Sequence, residues 1–274
     1  MRPNNDRFVS GQYDVLSGPL ARIQGSWNVL QAINGRTSND IAELRRGLDA
    51  ERRSDPWLNN AWERAILEYR KARQRRGHEN WARVNCPDEY HIALVAYTLE
   101  TPFYRKFNKA TRTATMATVK HYPYKNYFKL LWLSIKKVPG HPRRLSRDVL
   151  YRGLSDKMKF VINDYVCFQH FMSTSRDKEV AKGFIDDKRK GTLFRITGLM
   201  DAAERHHFSC LDHFNPYEEE VLIIPTQVFQ VVAVEKMKSG LKIVHLHSGQ
   251  IKANNNEDSI LLLALMSLIL SFDK

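Results

Sequence analysis

Only three cysteines, Cys86, Cys167 and Cys210, occur in the 274 residues. They allow at most one bridge, so no disulfide scaffold holds this chain, and no pair has the spacing of a structural metal site. Walker-type and dinucleotide-type glycine loops are missing, as are a Gly-x-Ser-x-Gly elbow and a His-Glu-x-x-His helix. Without them, P-loop and Rossmann nucleotide binding, α/β-hydrolase chemistry and zincin proteolysis have no support. The first ten residues contain no apolar run able to form the core of a secretory leader. No internal repeat or low-complexity tract is present. Between Thr101 and Arg147 acidic residues are absent altogether, against twelve Lys or Arg.

Against these absences stands a globular composition, 43% hydrophobic and 27% charged, which excludes wholesale disorder and a polytopic membrane protein. The net charge is +13, nearly all of it placed by the 101–147 tract. Such a field favours an acidic partner or a phosphate-bearing substrate, with association weakened by salt. Aromatics interleave with the cations: Phe103, Tyr104, Phe107, Tyr122, Tyr124, Tyr127 and Phe128. They could stack on nucleic-acid bases. Their helical spacing favours burial of one helix face, with the Lys and Arg solvated on the other.

The chain divides by texture. Helix signals come first: a short candidate over Ser38–Leu48, then Asp55-Pro56 as N-cap and first helical residue. From there Trp57, Trp62, Ile66 and Tyr69 recur near a 3.6 period, ending in the basic stretch Arg70 to Arg76. Cys86-Pro87-Asp88-Glu89 and Thr101-Pro102 open two more helices, and Tyr124–Val138 forms another. From Asp148 the pattern turns to strands: Val149–Tyr151, Tyr165–Met172, Thr192–Thr197, Glu219–Ile224, Phe229–Val234 and Leu241–Leu246, with one helix at Asp177–Ile185. Strands and helices do not alternate, so the class is α+β. Near the C-terminus Ile260–Phe272 is apolar but for Ser267 and Ser271. A helix of that length reaches about 20 Å, short of the roughly 30 Å bilayer core. The polar spacer 254–259 before it fits a lipid-anchor attachment signal; a helix packed on the domain is the other reading.

Three features in the β half carry chemistry. Arg152, in Leu150-Tyr151-Arg152-Gly153, sits at a strand beside glycine, where a guanidinium fork can meet a phosphate. Phe171-Met172-Ser173-Thr174-Ser175 ends a strand in hydroxyls; Ser173 faces a cleft and Ser175 caps the following helix. Glu218-Glu219-Glu220 opens the apolar run Val221–Ile224. On a strand, residues two apart share a face, so Glu218 and Glu220 point together, about 6–7 Å apart, with Glu219 opposite. Two carboxylates on one face repel unless a cation or substrate lies between them. His206, His207 and His213, near Cys210 and Asp212, fit no common zinc spacing and read as loop residues.

Taken in order, the Arg, the Ser-Thr-Ser and the Glu-x-Glu resemble the arginine–serine–glutamate class of mono-ADP-ribosyltransferases, and the flanking residues resemble its animal arginine-directed branch. The similar stretches are Leu150–Gly153, Phe168–Ser175, Glu179-Val180-Ala181 with Phe184, Gly191–Phe194, Glu218–Pro225 and Val228–Val231; upstream they are Ala96-Tyr97-Thr98 and Tyr104–Asn108. The resemblance spans roughly Pro87 to His247. Ile224 replaces the first of two prolines usual in the branch, and the paired cysteines common in vertebrate members are missing. It implies a helical N-terminal half packed on a mostly antiparallel two-sheet β core. The expected division is 1–80 as a partly helical N-terminal extension that the resemblance leaves unassigned, 81–250 as the transferase domain (helical to about 147, β-rich after it) and 251–274 as polar spacer and apolar tail.

The implied reaction moves ADP-ribose from NAD(P), consumed as a substrate, to an arginine of an acceptor protein. Glu220 would hold a ribose hydroxyl and stabilise the oxocarbenium-like transition state. Glu218 would position the acceptor and take a proton from its guanidinium, and Ser173 would orient Glu220 and the ribose. Arg152 would grip a phosphate, Gly153 would contact the nicotinamide amide and Phe184 would pack on the nicotinamide. No metal is required, because the leaving group is already cationic. NAD hydrolysis, transfer to another acceptor such as nucleic acid, and a non-enzymatic basic module binding nucleic acid or a membrane surface remain as alternatives. Location stays open between secreted or cell-surface and cytoplasmic.

Overall fold

The computed structural model describes residues 15–17, 29–30, 32–33, 37, 39–74, 86–99, 101–115, 117–138, 149–155, 159–168, 170–186, 191–199, 208–211, 219–225 and 227–248. Helix α1 (Ile41–Ser54) starts on Asp40, whose carboxylate accepts from the backbone N–H of Ala42 (2.8 Å) and Glu43 (3.0 Å). It continues six residues past the expected Leu48, because nothing breaks it before Asp55-Pro56. Helix α2 (Pro56–Gln74) begins as expected, with the Asp55 carboxylate accepting from Trp57 N–H at 2.8 Å. Its buried face is Leu58, Ala61, Trp62, Ala65, Tyr69 and Ala72. Trp57, expected on that face, stands 48% exposed, since the stripe is set by Leu58 one position later.

Helix α3 (Asp88–Thr98) is the axle of the helical half. Every residue from Tyr90 to Thr98 is buried, and it packs on α2 and on α5 (Lys125–Lys137). Between them lies α4 (Pro102–Arg112). The seven aromatics named above are all buried, as is Trp132 in the same tract, with Phe107 packed against Tyr97, Tyr127 and Phe171. None of these rings is available to stack on a base. The N-terminus of α5 is capped from α1: Glu51 accepts from Asn126 N–H (2.8 Å), Asn126 Nδ2 (2.7 Å) and Tyr127 N–H (3.0 Å). Gly47 lets these helices approach, since a Cβ there would lie 2.3 Å from Asn126 Oδ1.

The strands are β1 (Val15–Ser17), β2 (Leu150–Leu154), β3 (Tyr165–Phe168), β4 (Met172–Ser175), β5 (Thr192–Thr197), β6 (Phe208–Cys210), β7 (Glu220–Ile223), β8 (Val228–Lys236) and β9 (Lys242–His247). The short helix α6 (Lys178–Gly183) follows β4. The sheet order is β1-β3-β8-β9-β5-β2-β4-β7-β6, antiparallel throughout except β5 with β9. The expected two sheets are thus one hydrogen-bonded order. The reason is a seam: β2 pairs along its whole length with β5, but with β4 only at Tyr151↔Ser175. Beyond that residue pair the two parts diverge and face each other. Phe168, Phe194 and Phe229 of the larger part pack in one cluster with Met172, Val221 and Ile223 of the smaller. The helical core meets the sheet through Phe171, Leu222 and Ile224. No helix among the described residues is long and apolar enough to cross a membrane. The apolar stretch 260–272 lies outside the described residues.

Candidate active site

The seam gathers the three chemical features. Arg152 lies in β2, Ser173 in β4 and Glu220 opens β7. Strand β4 pairs with β7 in the register Ser173↔Leu222 and Ser175↔Glu220, which brings the Ser173 side chain beside the Glu220 carboxylate. The Ser173 hydroxyl donates to Glu220 Oε1. On the same strand Thr174 points the other way and donates to the Val221 carbonyl at 2.7 Å. Arg152 crosses the seam, its Nη1 donating to the Ser173 carbonyl oxygen at 2.8 Å. The guanidinium lies 5.5 Å over the Phe168 ring. Arg152 and Glu220 are 3% and 2% exposed, so both charges sit in a partly desolvated cleft where electrostatic effects are strong.

Two lobes open from this centre. On one side Gly153, Val180, Ala181 and Phe184 line a hollow together with Arg152, Ser173 and Glu220. Gly153 is required by close approach: a Cβ would stand 2.1 Å from the Ala181 carbonyl oxygen and 2.8 Å from Ile185 Cγ1. Helix α6 therefore lies directly on β2, and Phe184 at its C-cap reaches the lobe. Asp177, not Ser175, is the N-cap of α6, accepting from Glu179 N–H at 2.7 Å; the Ser175 hydroxyl accepts from Asp177 N–H one step earlier. On the other side, helices α3 and α4 supply Tyr97, Thr98, Tyr104 and Asn108 to a cleft that also includes His170. Tyr97 donates to the Phe171 carbonyl and pairs with Asn108, tying α3 and α4 to the backbone just ahead of Ser173. Burial pushes the Tyr97 phenol above its ordinary pKa, so it remains a donor. His170 was not singled out by spacing. Tyr104 and Asn108, one turn apart on α4, share a face and so point together, a signal visible at that spacing.

The acidic triplet departs from the expected strand. Strand β7 begins at Glu220, and Glu219 precedes it with φ +44°, in the left-handed region. The Glu219 carbonyl accepts from Arg176 N–H (3.3 Å) and that of Glu220 from Leu211 N–H (2.8 Å), which holds the turn. Two-residue alternation therefore stops at Glu220 and does not fix the direction of Glu218, which lies outside the described residues. So do His206, His207, Asp212 and His213. Among the described residues no three His, Cys, Asp or Glu gather as metal ligands.

The family described as NAD:arginine ADP-ribosyltransferase matches residues 31–254. The chain belongs to this family. Its matched range takes in α1–α6 and β2–β9, and the family's substrate is NAD. Among its relatives, the mouse GPI-linked NAD(P)(+)–arginine ADP-ribosyltransferase 1 is 30% identical over 167 residues, covering 59% of this chain and 48% of the relative. The chicken NAD(P)(+)–arginine ADP-ribosyltransferase 1 is 31% identical over 208 residues, covering 72% and 59%. The match thus spans about half the length of such relatives. The crystal structure of the eukaryotic mono-ADP-ribosyltransferase ART2.2 shares the fold, with a TM-score of 0.57 at 24% identity over 78% of this chain and 87% of that one. A variant of that enzyme has been solved in complex with NAD.

Proposed function

We propose that this chain transfers ADP-ribose from NAD to arginine side chains of acceptor proteins and releases nicotinamide. The observation that carries this is the Ser173 hydroxyl aimed at the Glu220 carboxylate, with the Arg152 guanidinium anchored on the same Ser173 backbone. Arg152 grips the diphosphate. Gly153 and Phe184 receive the nicotinamide in their lobe. The bond between C1′ and the nicotinamide nitrogen breaks, and its electron pair neutralises the pyridinium charge. The ribose becomes oxocarbenium-like, as in glycoside hydrolysis. Glu220, held by Ser173, meets that growing positive charge, and stabilisation realised only in the transition state is what accelerates. An acceptor guanidinium nitrogen then bonds to C1′ and its proton passes to Glu218. Such a group is a poor nucleophile until deprotonated, since its pKa is above about 12.

The mouse relative's name carries a GPI link. In this chain the apolar stretch 260–272 behind its polar spacer is the segment where a signal for such an attachment would lie. The test of function is to incubate the purified chain with labelled NAD and an arginine analogue, DNA, or water alone. Label is expected on the arginine analogue, with Glu218→Gln losing most of that transfer while retaining much of the nicotinamide release. Label that goes only to water, or to DNA, would replace this reading with hydrolysis or base modification.

A further inference from the structure

Arginine only donates; its five N–H groups have no lone pair to offer. Arg152 ends on two acceptors, the Ser173 carbonyl through Nη1 and His170 Nε2 through Nη2 at 3.1 Å. Nε2 therefore carries no proton, and the imidazole proton sits on Nδ1. The ring is 3% exposed. Burial, then the nearby cations Arg152 and Arg112, hold its pKa well below 6.5, so His170 stays neutral. The Phe168 ring covers one face of the guanidinium. Two edge contacts and one face contact constrain the plane of the Arg152 guanidinium. That matters because a guanidinium recognises a diphosphate through the direction of its fork as well as its charge.

We propose that His170 is a positioning residue for substrate binding: by accepting from Nη2 it fixes the plane of the Arg152 guanidinium so that the fork meets the substrate diphosphate. The inference rests on Arg152 being the diphosphate grip. Its chemistry separates three substitutions. Glutamine places an acceptor oxygen where Nε2 stands, asparagine places one nearer Nδ1, and phenylalanine fills the volume with no acceptor.

The experiment measures kcat and KM for nicotinamide release from NAD, and Kd for ADP-ribose by titration calorimetry, in wild type, His170→Gln, His170→Asn and His170→Phe, with melting temperatures alongside. His170→Asn and His170→Phe are expected to raise KM and Kd on the order of tenfold, the scale of one hydrogen bond to a charged group, with kcat within about threefold. His170→Gln recovers most of the affinity. Equal values for the Gln and Asn variants, or a loss that follows melting temperature instead of the acceptor's place, would overturn the proposal. If wild type released no nicotinamide, the catalytic reading would fall, while the ADP-ribose titrations would still decide the role of His170.

Discussion

Replacing Ser173 with alanine isolates one hydrogen bond of the proposed centre. The hydroxyl donates to Glu220 Oε1, whereas the contact with Arg152 is made by the Ser173 main-chain carbonyl and survives the substitution. The change should therefore spare the diphosphate grip and loosen the carboxylate. Hydrogen bonds to charged groups are worth about 1.5–3 kcal/mol, and each ~1.4 kcal/mol is tenfold in rate, so kcat should fall on the order of 10- to 150-fold. KM for NAD should change by less than about threefold, apart from any direct contact of the hydroxyl with the ribose. The control is Thr174→Val. Its hydroxyl bonds the Val221 carbonyl on the opposite face, so its loss should lower stability by about 1 kcal/mol and leave kcat near wild type. The assay is initial-rate nicotinamide release across NAD concentration, beside thermal melts. A kcat within about threefold of wild type for Ser173→Ala, or a collapse in Thr174→Val as large as in Ser173→Ala, would refute the division of labour along β4.

Gly153→Ala should force β2 and α6 apart, because the added Cβ meets the Ala181 carbonyl at 2.1 Å. Overpacking of this kind costs about 1–3 kcal/mol, roughly 2–12 °C in melting temperature for a chain this size, and the rebuilt Phe184 lobe should raise KM for NAD. An unchanged melting temperature would contradict the close approach. Glu51 makes stability depend on pH. Burial pushes its pKa from 4.5 up to about 7, so the native state holds the proton more tightly than the unfolded chain. The stabilisation this gives is complete below about pH 4.5 and is lost as pH rises through about 7, on the order of 3 kcal/mol in total. In denaturant titrations at pH 5 and pH 8, wild type minus Glu51→Gln should therefore become less favourable at the higher pH. A difference that did not move with pH would refute it.

Much of the β half was legible because its strands are short, β-branched and punctuated, so Thr192–Thr197 falls where expected and the Arg, Ser and Glu features come in order. Strands β1 and β6 were not legible: three residues are too few for alternation to register, and each exists through its neighbour, β3 and β7 respectively. The run Tyr165–Met172 divides into β3 and β4 because the chain crosses from one part of the sheet to the other between them. In the helical half, Asp55-Pro56 and Thr101-Pro102 marked their helices to the residue. The role of Glu51 was hidden, since a carboxylate capping a helix more than seventy positions away leaves no local pattern. The same holds for His170, whose meaning comes from Arg152 across the seam. The acidic triplet shows a different limit: alternation assumes a strand, and a left-handed Glu219 ends it one residue early.

The central claim is that Glu220 meets the ribose cation, and the most direct measurement is the turnover of Glu220→Gln at saturating NAD. The substitution keeps the shape and removes the charge, so nicotinamide release with water and with an arginine analogue should both fall about 100- to 1000-fold, some 3–4 kcal/mol of transition-state stabilisation. Melting temperature should stay close to that of wild type. Release within a few-fold of wild type by a folded Glu220→Gln protein would contradict the claim.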